Sequence, residues 1–109
     1  MRKAEVYRNG ILTGCLTEEN RNKYVFRYEA GYFADHEKPS IALTLPKRQQ
    51  EHLCDHIFPF FFNMLSEGAN RKLQSVQLKI DELDDFGLLL ATAQHDTIGA
   101  ITIKPIEND

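Results

Sequence analysis

The Asn9-Gly10 dipeptide between two apolar runs is the feature that most restricts how this chain can fold. A type I′ turn needs positive φ at both of its central residues, and Asn-Gly adopts that geometry at little cost. Apolar and β-branched side chains alternate on either side of the dipeptide. The sequence therefore predicts an N-terminal hairpin with strands over residues 3–8 and 11–16.

Alternating apolar residues predict three further strands. Tyr24–Tyr28 places its three aromatic side chains on one face of a strand. Ile41–Leu45 alternates in the same way and stops at Pro46, which predicts a fourth strand. The polar stretch 47–54 is predicted to be a loop, and Ile98–Lys104 is predicted to be the last strand of the sheet.

The middle of the chain has the punctuation of a first helix. Asp55 is a suitable N-cap for a helix over residues 56–65. Pro59 is tolerated only in the first turn of a helix, which places the start of the helix near this point. Gly68 is predicted to end it.

Two more helices are predicted before the last strand. One covers residues 70–78, and its inward positions are predicted to be Leu73, Val76 and Ile80. Another is capped by Asp81 or Asp84, whose acidic side chains suit the positive end of the helix dipole. Helical spacing predicts that this helix turns the following residues to the core: Phe86, Leu89, Leu90 and Ala93.

Together these elements predict a single α+β domain over residues 1–109. A curled antiparallel sheet of about five strands, barrel-like in shape, would pack with about three short helices from the C-terminal half. The apolar fraction of 42% and the charged fraction of 27% are ordinary for a globular domain.

Charge and targeting signals limit the function classes. The formal net charge of -3 argues against a direct nucleic-acid partner, which usually meets a basic face. The charged start Met1–Glu5 is not followed by the apolar core of a signal peptide, and no run is long enough to span a membrane. We therefore expect a cytoplasmic protein in which Cys15 and Cys54 are reduced.

Few residues could carry catalysis or bind a cofactor. His52, Cys54 and His56 alternate, but a structural zinc site needs a second ligand pair that the sequence lacks, so no metal is predicted. Cys54 beside a histidine could be a nucleophile, but sequence proximity supplies no orienting third group. Glycine-rich phosphate loops and the kinase catalytic-loop motif HRD are absent. We therefore predict no enzymatic activity and no cofactor, and an enzyme using Cys54 remains an alternative.

The aromatic run before the Glu67-Gly68 break covers every side of a helical turn. Such a helix is buried on several faces or presents one face to a partner. We assign Phe58, Phe61 and Phe62 to the core and Phe60 to a partner-facing position.

The order of these motifs resembles the N-terminal subdomain of the HipA family of serine/threonine kinase toxins. That family has a Val-Tyr-x-Asn-Gly hairpin, a Phe-x-Tyr strand, a Leu-x-Leu-Pro segment, a Pro-Phe-Phe-x-Asn helix ending in Glu-Gly, an Asp-x-Phe-x-Leu-Leu helix and a polar turn before Gly-Ala. Their counterparts are Val6–Leu16, Phe26–Tyr28, Ser40–Pro46, Pro59–Gly68, Asp84–Leu89 and Ala93–Ala100. Ser66 replaces the family's Pro before Glu-Gly, and Gln94 replaces a Gly before the polar turn.

The resemblance implies a regulatory role rather than catalysis. The ATP-binding and catalytic residues of HipA lie beyond this subdomain. A separate copy of it is similar to the HipS-like proteins of bacterial HipBST-type toxin–antitoxin modules, which neutralise a HipA/HipT-like kinase. A HipB-like helix-turn-helix protein is a further candidate partner. An alternative is the structural half of a split kinase, needed for its activity. We expect the partner-binding residues to be Phe60, Asn63, Ser66, Glu67, Gly68, Asn70 and Arg71.

Overall fold

A five-stranded antiparallel sheet organises the domain. The computed structural model describes residues 1–65, 67–93 and 100–106. The strands are β1 (Arg2–Arg8), β2 (Ile11–Asn20), β3 (Lys23–Tyr28), β4 (Glu51–Cys54) and β5 (Ile101–Ile106). The helices are α1 (Ala30–Ala34), α2 (Pro59–Phe62), α3 (Gly68–Leu78) and α4 (Asp85–Thr92).

The sheet is open, with the strand order β4-β3-β2-β1-β5. The predicted α+β class and the five antiparallel strands are confirmed. The barrel-like closure is not formed among the described residues, because β4 and β5 lie at opposite edges and do not pair. Pro105 is accommodated in β5 because an edge strand needs fewer backbone donors than a central one.

The predicted hairpin is confirmed. Asn9 and Gly10 have φ values of 52° and 78°, the positive values that a type I′ turn requires. The strands on either side pair in antiparallel register from Arg8 and Ile11 outwards, with a bulge beside Val6. A short-range signal was sufficient here because the turn and its strands are adjacent in sequence.

The predicted fourth strand is wrong. Ile41–Leu45 is an irregular turn, and the strand β4 lies instead within the segment 47–54 that was predicted to be a loop. The hydroxyl of Tyr28 accepts a hydrogen bond from the backbone N–H of Ile41 at 3.0 Å and donates one to the carbonyl of Leu45. These bonds hold the turn over the end of β3, so Ile41 and Leu45 are buried without belonging to the sheet.

One face of the sheet forms the core, and the helices cover it. The aromatic residues of β3 all point to this face, as predicted, and rings from α2 and α4 pack on them. Burying side chains of this size supplies most of the stability of such a domain. The fully buried large side chains include Val6, Leu16, Phe26, Tyr28, Phe61, Phe86, Leu89 and Ile103.

The first predicted helix is shorter than expected. The structure has four residues in α2, with Pro59 at its first position and Phe58 as the N-cap, instead of a helix over 56–65. Asp55 is not the cap, because the helix begins only at Pro59. An additional helix, α1, brings the total to four in the described residues instead of about three.

The other two predicted helices differ in how well their inner faces were assigned. Asp84 caps α4 by accepting a hydrogen bond from the N–H of Gly87 at 3.1 Å, and the apolar face of that helix turns inward as predicted. In α3 the inward assignment is wrong, since Leu73 is 55% exposed and Val76 is 75% exposed. The residues of α3 are all described, and none of them is buried.

The helices in the described part of the chain are too short or too polar to cross a bilayer. Ile98 and Gly99, which belong to the predicted last strand, lie outside the described residues.

Candidate partner-binding surface

A cleft of about 870 Å³ opens beside the α2–α3 segment. One wall is apolar and comes from Ile57, Pro59 and Phe62 of the chain around α2. Leu83, in the connection between α3 and α4, also lines the cleft and is 87% exposed. The cleft is large enough to receive a side chain or a short segment of a partner.

Paired charges form the floor of the cleft. The guanidinium of Arg2 donates to Glu18 Oε1 at 2.9 and 2.6 Å and to the two carboxylate oxygens of Asp84 at 2.9 and 2.8 Å. The Tyr24 hydroxyl donates to Glu18 Oε2 at 2.7 Å, and the ring of Phe86 lies under the guanidinium at 5.2 Å. Bidentate pairing of this kind joins β1, β2 and α4 with defined geometry.

The network also determines which of these groups are charged. The hydrogen bonds from Arg2 hold the pKa of the Asp84 carboxyl below its usual range, aided by the N–H of Gly87. Burial raises the pKa of the Tyr24 hydroxyl, and the hydrogen bond to Glu18 raises it further. At neutral pH the floor therefore holds an ionised Asp84 and a tyrosine that remains a hydrogen-bond donor.

The aromatic run distributes its rings differently from the expectation. Phe58 and Phe61 are buried as predicted, but Phe62 is 42% exposed and lines the cleft, so its assignment to the core is wrong. Phe60 is half-buried and packs edge-on against Phe61, with ring centroids 5.2 Å apart. Its contact with a partner stays a prediction.

The polar residues predicted to bind a partner lie mainly on the surface. Asn63, Glu67, Gly68 and Asn70 are exposed, and Gly68 begins α3 with a φ of 60°. Ser66 lies outside the described residues. Partner contact by these side chains remains a prediction.

Arg71 is different because its side chain is engaged within the chain. Its Nε and Nη2 donate to the carbonyl of Glu82 at 3.0 and 2.7 Å, and Nη2 also bonds the carboxylate of Asp85. The side chain is 15% exposed. These bonds tie the start of α3 to the start of α4 and so hold the rim of the cleft.

The sequence analysis missed an exposed apolar ridge on α3. Leu73 and Val76 are three residues apart, so they are neighbours on one face of the helix. Lys72 lies on the same helix and Lys79 is its C-cap, and the helix carries no acidic residue. The sequence did indicate an exposed helix, because this stretch contains basic residues and few apolar ones.

The potential metal ligands are also arranged differently from the expected pattern. The buried ring of His52 is held by the carbonyl of Pro46 at 3.0 Å. Cys54, Asp55 and His56 come together instead, with one donor atom from each lying within 4.8 Å of the others. Both cysteines are free thiols.

Comparison with known proteins places the fold in a recognised group. A solved structure described as the N-terminal domain of HipA toxin superposes with a TM-score of 0.75, over all of this chain and 96% of that chain, at 24% identity. A likeness at this level of identity establishes the fold alone.

Relatives of two sizes match the chain. An uncharacterized protein of Haemophilus influenzae is 27% identical over 104 residues, covering 92% of its length. The putative kinases Y4mE and Y4dM of Sinorhizobium fredii are 25% and 28% identical, and the chain spans 26% of the length of each. A protein-family model described as HipA N-terminal domain matches residues 4–104. The chain therefore belongs to the HipA N-terminal domain family.

Proposed function

We propose that this chain is a non-catalytic subunit that binds a separately encoded HipA/HipT-like serine/threonine kinase and neutralises it. The observation that carries the proposal is that the chain matches relatives of two different lengths. The matched region makes up 26% of the length of two putative kinases but 92% of the length of the Haemophilus protein. A domain that packs beside a kinase core in one chain has a surface suited to that core. A separate copy can use the same surface in trans.

The absence of catalytic motifs in the sequence supports a regulatory role. The family match covers the N-terminal domain of HipA, and the 109 residues contain neither a phosphate-binding glycine loop nor the HRD motif of a kinase. The tripeptide Asp85-Phe86-Gly87 begins α4, where Arg71 bonds the Asp85 carboxylate and the ring of Phe86 is fully buried. The phosphoryl-transfer chemistry would then belong to the partner. This chain would act by occupying a surface that the active kinase needs.

The docking surface proposed here is the α2–α3 segment together with the adjoining cleft. Phe62 and Leu83 supply exposed apolar area in the lining of the cleft, and the Arg2–Asp84 ion pair belongs to the same lining. Aromatic residues beside a preformed pocket are common energetic anchors of protein interfaces. Asn63 and Asn70 lie on the same segment and can donate and accept hydrogen bonds at its edge.

A second candidate function is the structural half of a split kinase, which the same 26% coverage of the two putative kinases favours. In that case the chain would complete the kinase rather than oppose it. The two functions share a docking surface and differ in the sign of their effect on kinase activity.

Co-expression with the adjacent kinase-like gene tests both. If the chain is an antitoxin, cells that express the kinase alone stop growing and cells that express both grow. Growth arrest that requires both chains would instead establish the split kinase. Unchanged toxicity together with no complex on co-purification would refute both functions.

A pair of surface variants tests the docking site. Phe62→Ser should weaken the complex, because it removes an exposed ring beside the cleft. Leu43→Ser is the matched control, since Leu43 is fully exposed and lies in the turn over the end of β3. Equal complex formation by the two folded variants would show that the cleft is not the docking site.

A further inference from the structure

Helix α3 buries none of its residues, although a helix of its length is rarely stable without packing. It has 11 residues, all of them described, and none is buried. Isolated helices shorter than about 12–15 residues are marginal in water, and most helices in proteins are stabilised by burying an apolar face. Polar contacts hold one side of α3 to the chain, since Arg71 bonds Glu82 and Asp85. The Ser75 hydroxyl on the same side donates to the carbonyl of Ile80.

The other side of α3 carries the apolar ridge in the pattern of a helix–helix contact. Ala69, Leu73 and Val76 are spaced by four and three residues, so they form one stripe along the helix. This is the spacing of the d, a and d positions of a coiled coil, where apolar side chains pack between those of a second helix. All three residues are exposed. The stripe is therefore accessible to a partner helix.

Two lysines border this stripe on one side. Lys72 directly precedes Leu73, and Lys79 lies seven residues further along at the C-cap. Both are exposed, and their spacing places them at successive g positions beside the stripe. Charged residues at these positions pair with opposite charges on the facing helix and determine which partner is accepted. Since α3 contains no acidic residue, the matching negative charges must come from the partner.

A second copy of this chain does not supply those charges. In an antiparallel pair of α3 helices the lysine side of one copy would face the lysine side of the other. In a parallel pair the lysines would face Asn70 and Gln77, which are neutral. An anionic membrane is also a poor occupant, because the formal net charge of the chain is -3 and the ridge has only two large apolar side chains.

From this pattern we propose that α3 binds an amphipathic helix of a partner protein whose apolar stripe is flanked by Glu or Asp. Burial of the apolar ridge supplies the attraction, as in other helix-binding surfaces. Pairs between the lysines and the partner's carboxylates fix the orientation and exclude basic helices. No residue of α3 lines the cleft, so this surface is separate from the cleft. The proposal goes beyond the proposed function and does not depend on it.

A pair of synthetic peptides tests the surface in the absence of any kinase. The probe is a helix of about three heptads with Leu at its a and d positions and Glu at e and g, and the control peptide has Lys in place of each Glu. Like charges at e and g prevent each peptide from pairing with itself. Chemical-shift titration of the labelled chain should show the Glu peptide shifting the amide signals of α3 and binding about tenfold more tightly than the Lys peptide.

The net charge of the chain makes this comparison stringent. A formal charge of -3 favours the Lys peptide at long range, so a preference for the Glu peptide must come from the local lysines. Equal affinity for the two peptides, or no binding of the Glu peptide at millimolar concentration, would overturn the proposal. A chain that sediments alone as a dimer, and as a monomer after Leu73→Ser, would also overturn it, because a second copy would then cover the ridge.

Matched variants locate the contact. Leu73→Ser should weaken binding of the Glu peptide about tenfold, because it removes a large side chain from the stripe. Leu53→Ser is the control, since Leu53 is similarly exposed but lies on β4. Equal affinities in these two folded variants would place the contact elsewhere and refute the assignment.

A second pair of variants tests the charge pattern. Lys72→Glu should abolish the preference for the Glu peptide, because it reverses the charge beside the stripe. Arg48→Glu changes the net charge by the same amount at an exposed position away from α3 and should keep the preference. Equal loss of preference in both would attribute it to net charge and refute the role of the lysines.

Discussion

Replacing Arg71 with alanine should cost about 2 kcal/mol of unfolding free energy. The guanidinium donates two hydrogen bonds to the carbonyl of Glu82, at 3.0 and 2.7 Å, and also bonds the Asp85 carboxylate. A hydrogen bond to a charged group contributes about 1.5–3 kcal/mol when its partner is shielded, as it is here where Arg71 is 15% exposed. The higher helix propensity of alanine returns only about 0.2 kcal/mol.

Urea unfolding followed by circular dichroism measures this loss as a lower midpoint with an unchanged slope. Lys72→Ala is the matched control, because Lys72 is the exposed neighbour on the same helix and its loss should change stability by less than about 0.5 kcal/mol. Equal midpoints for the two variants, with kinase binding lost only in Arg71→Ala, would refute the reasoning. The guanidinium would then serve the partner, as the sequence analysis expected.

Two further substitutions test the packing of the sheet and the floor of the cleft. Gly14→Ala should lower the free energy of unfolding in urea by about 3 kcal/mol, because the added Cβ would lie 2.4 Å from the carbonyl oxygen of Arg27. Gly10→Ala should lower it by only about 1 kcal/mol, because an alanine there has an unfavourable positive φ but no described atom lies within 4 Å of its Cβ. Equal losses in the two variants would contradict this account. Asp84→Asn keeps the helix cap but loses the ion pair with Arg2. Because the pKa of Asp84 is lowered in the folded state, the ion pair should stabilise the wild-type protein above about pH 4. This stabilisation should be lost as the pH falls through the folded pKa of Asp84. A difference in unfolding free energy between wild type and Asp84→Asn that is as large at pH 2 as at neutral pH would contradict the prediction.

The elements that the sequence predicted well are those specified by neighbouring residues. The Asn9-Gly10 turn needs no information from elsewhere in the chain, and Asp84 caps a helix that begins at the next residue. The alternation in β3 was equally reliable because one of its faces is fully buried. In each case a local preference and the global fold favour the same structure.

The fourth strand shows why the same pattern misled elsewhere. Ile41–Leu45 alternates like a strand, yet the hydroxyl of Tyr28 satisfies backbone groups that a sheet would otherwise pair. Glu51–Cys54 looks polar because it is a short edge strand with one face in solvent. Whether a segment joins a sheet depends on a residue more than ten positions away, which periodicity within the segment does not contain.

The structure shows where the predicted partner-binding segment lies and leaves its role a prediction. The Phe60–Arg71 segment adjoins the cleft through Phe62, whereas none of the seven predicted residues is among those that line the cleft. The role of Arg71 within the chain depends on the carbonyl of Glu82, which no pairing rule based on side-chain type identifies.

The choice of Phe62 as the anchor follows from its surroundings rather than from its exposure. Leu43 is fully exposed and Phe62 is 42% exposed, so exposure alone would favour Leu43. Single exposed apolar residues are normal on soluble proteins and indicate nothing by themselves. Phe62 differs because it lines a cleft together with Leu83 and with Arg2, whose guanidinium is already paired with Asp84. An apolar partner residue that enters this cleft could bury apolar area on Phe62 and Leu83 while the ion pair between Arg2 and Asp84 stays intact.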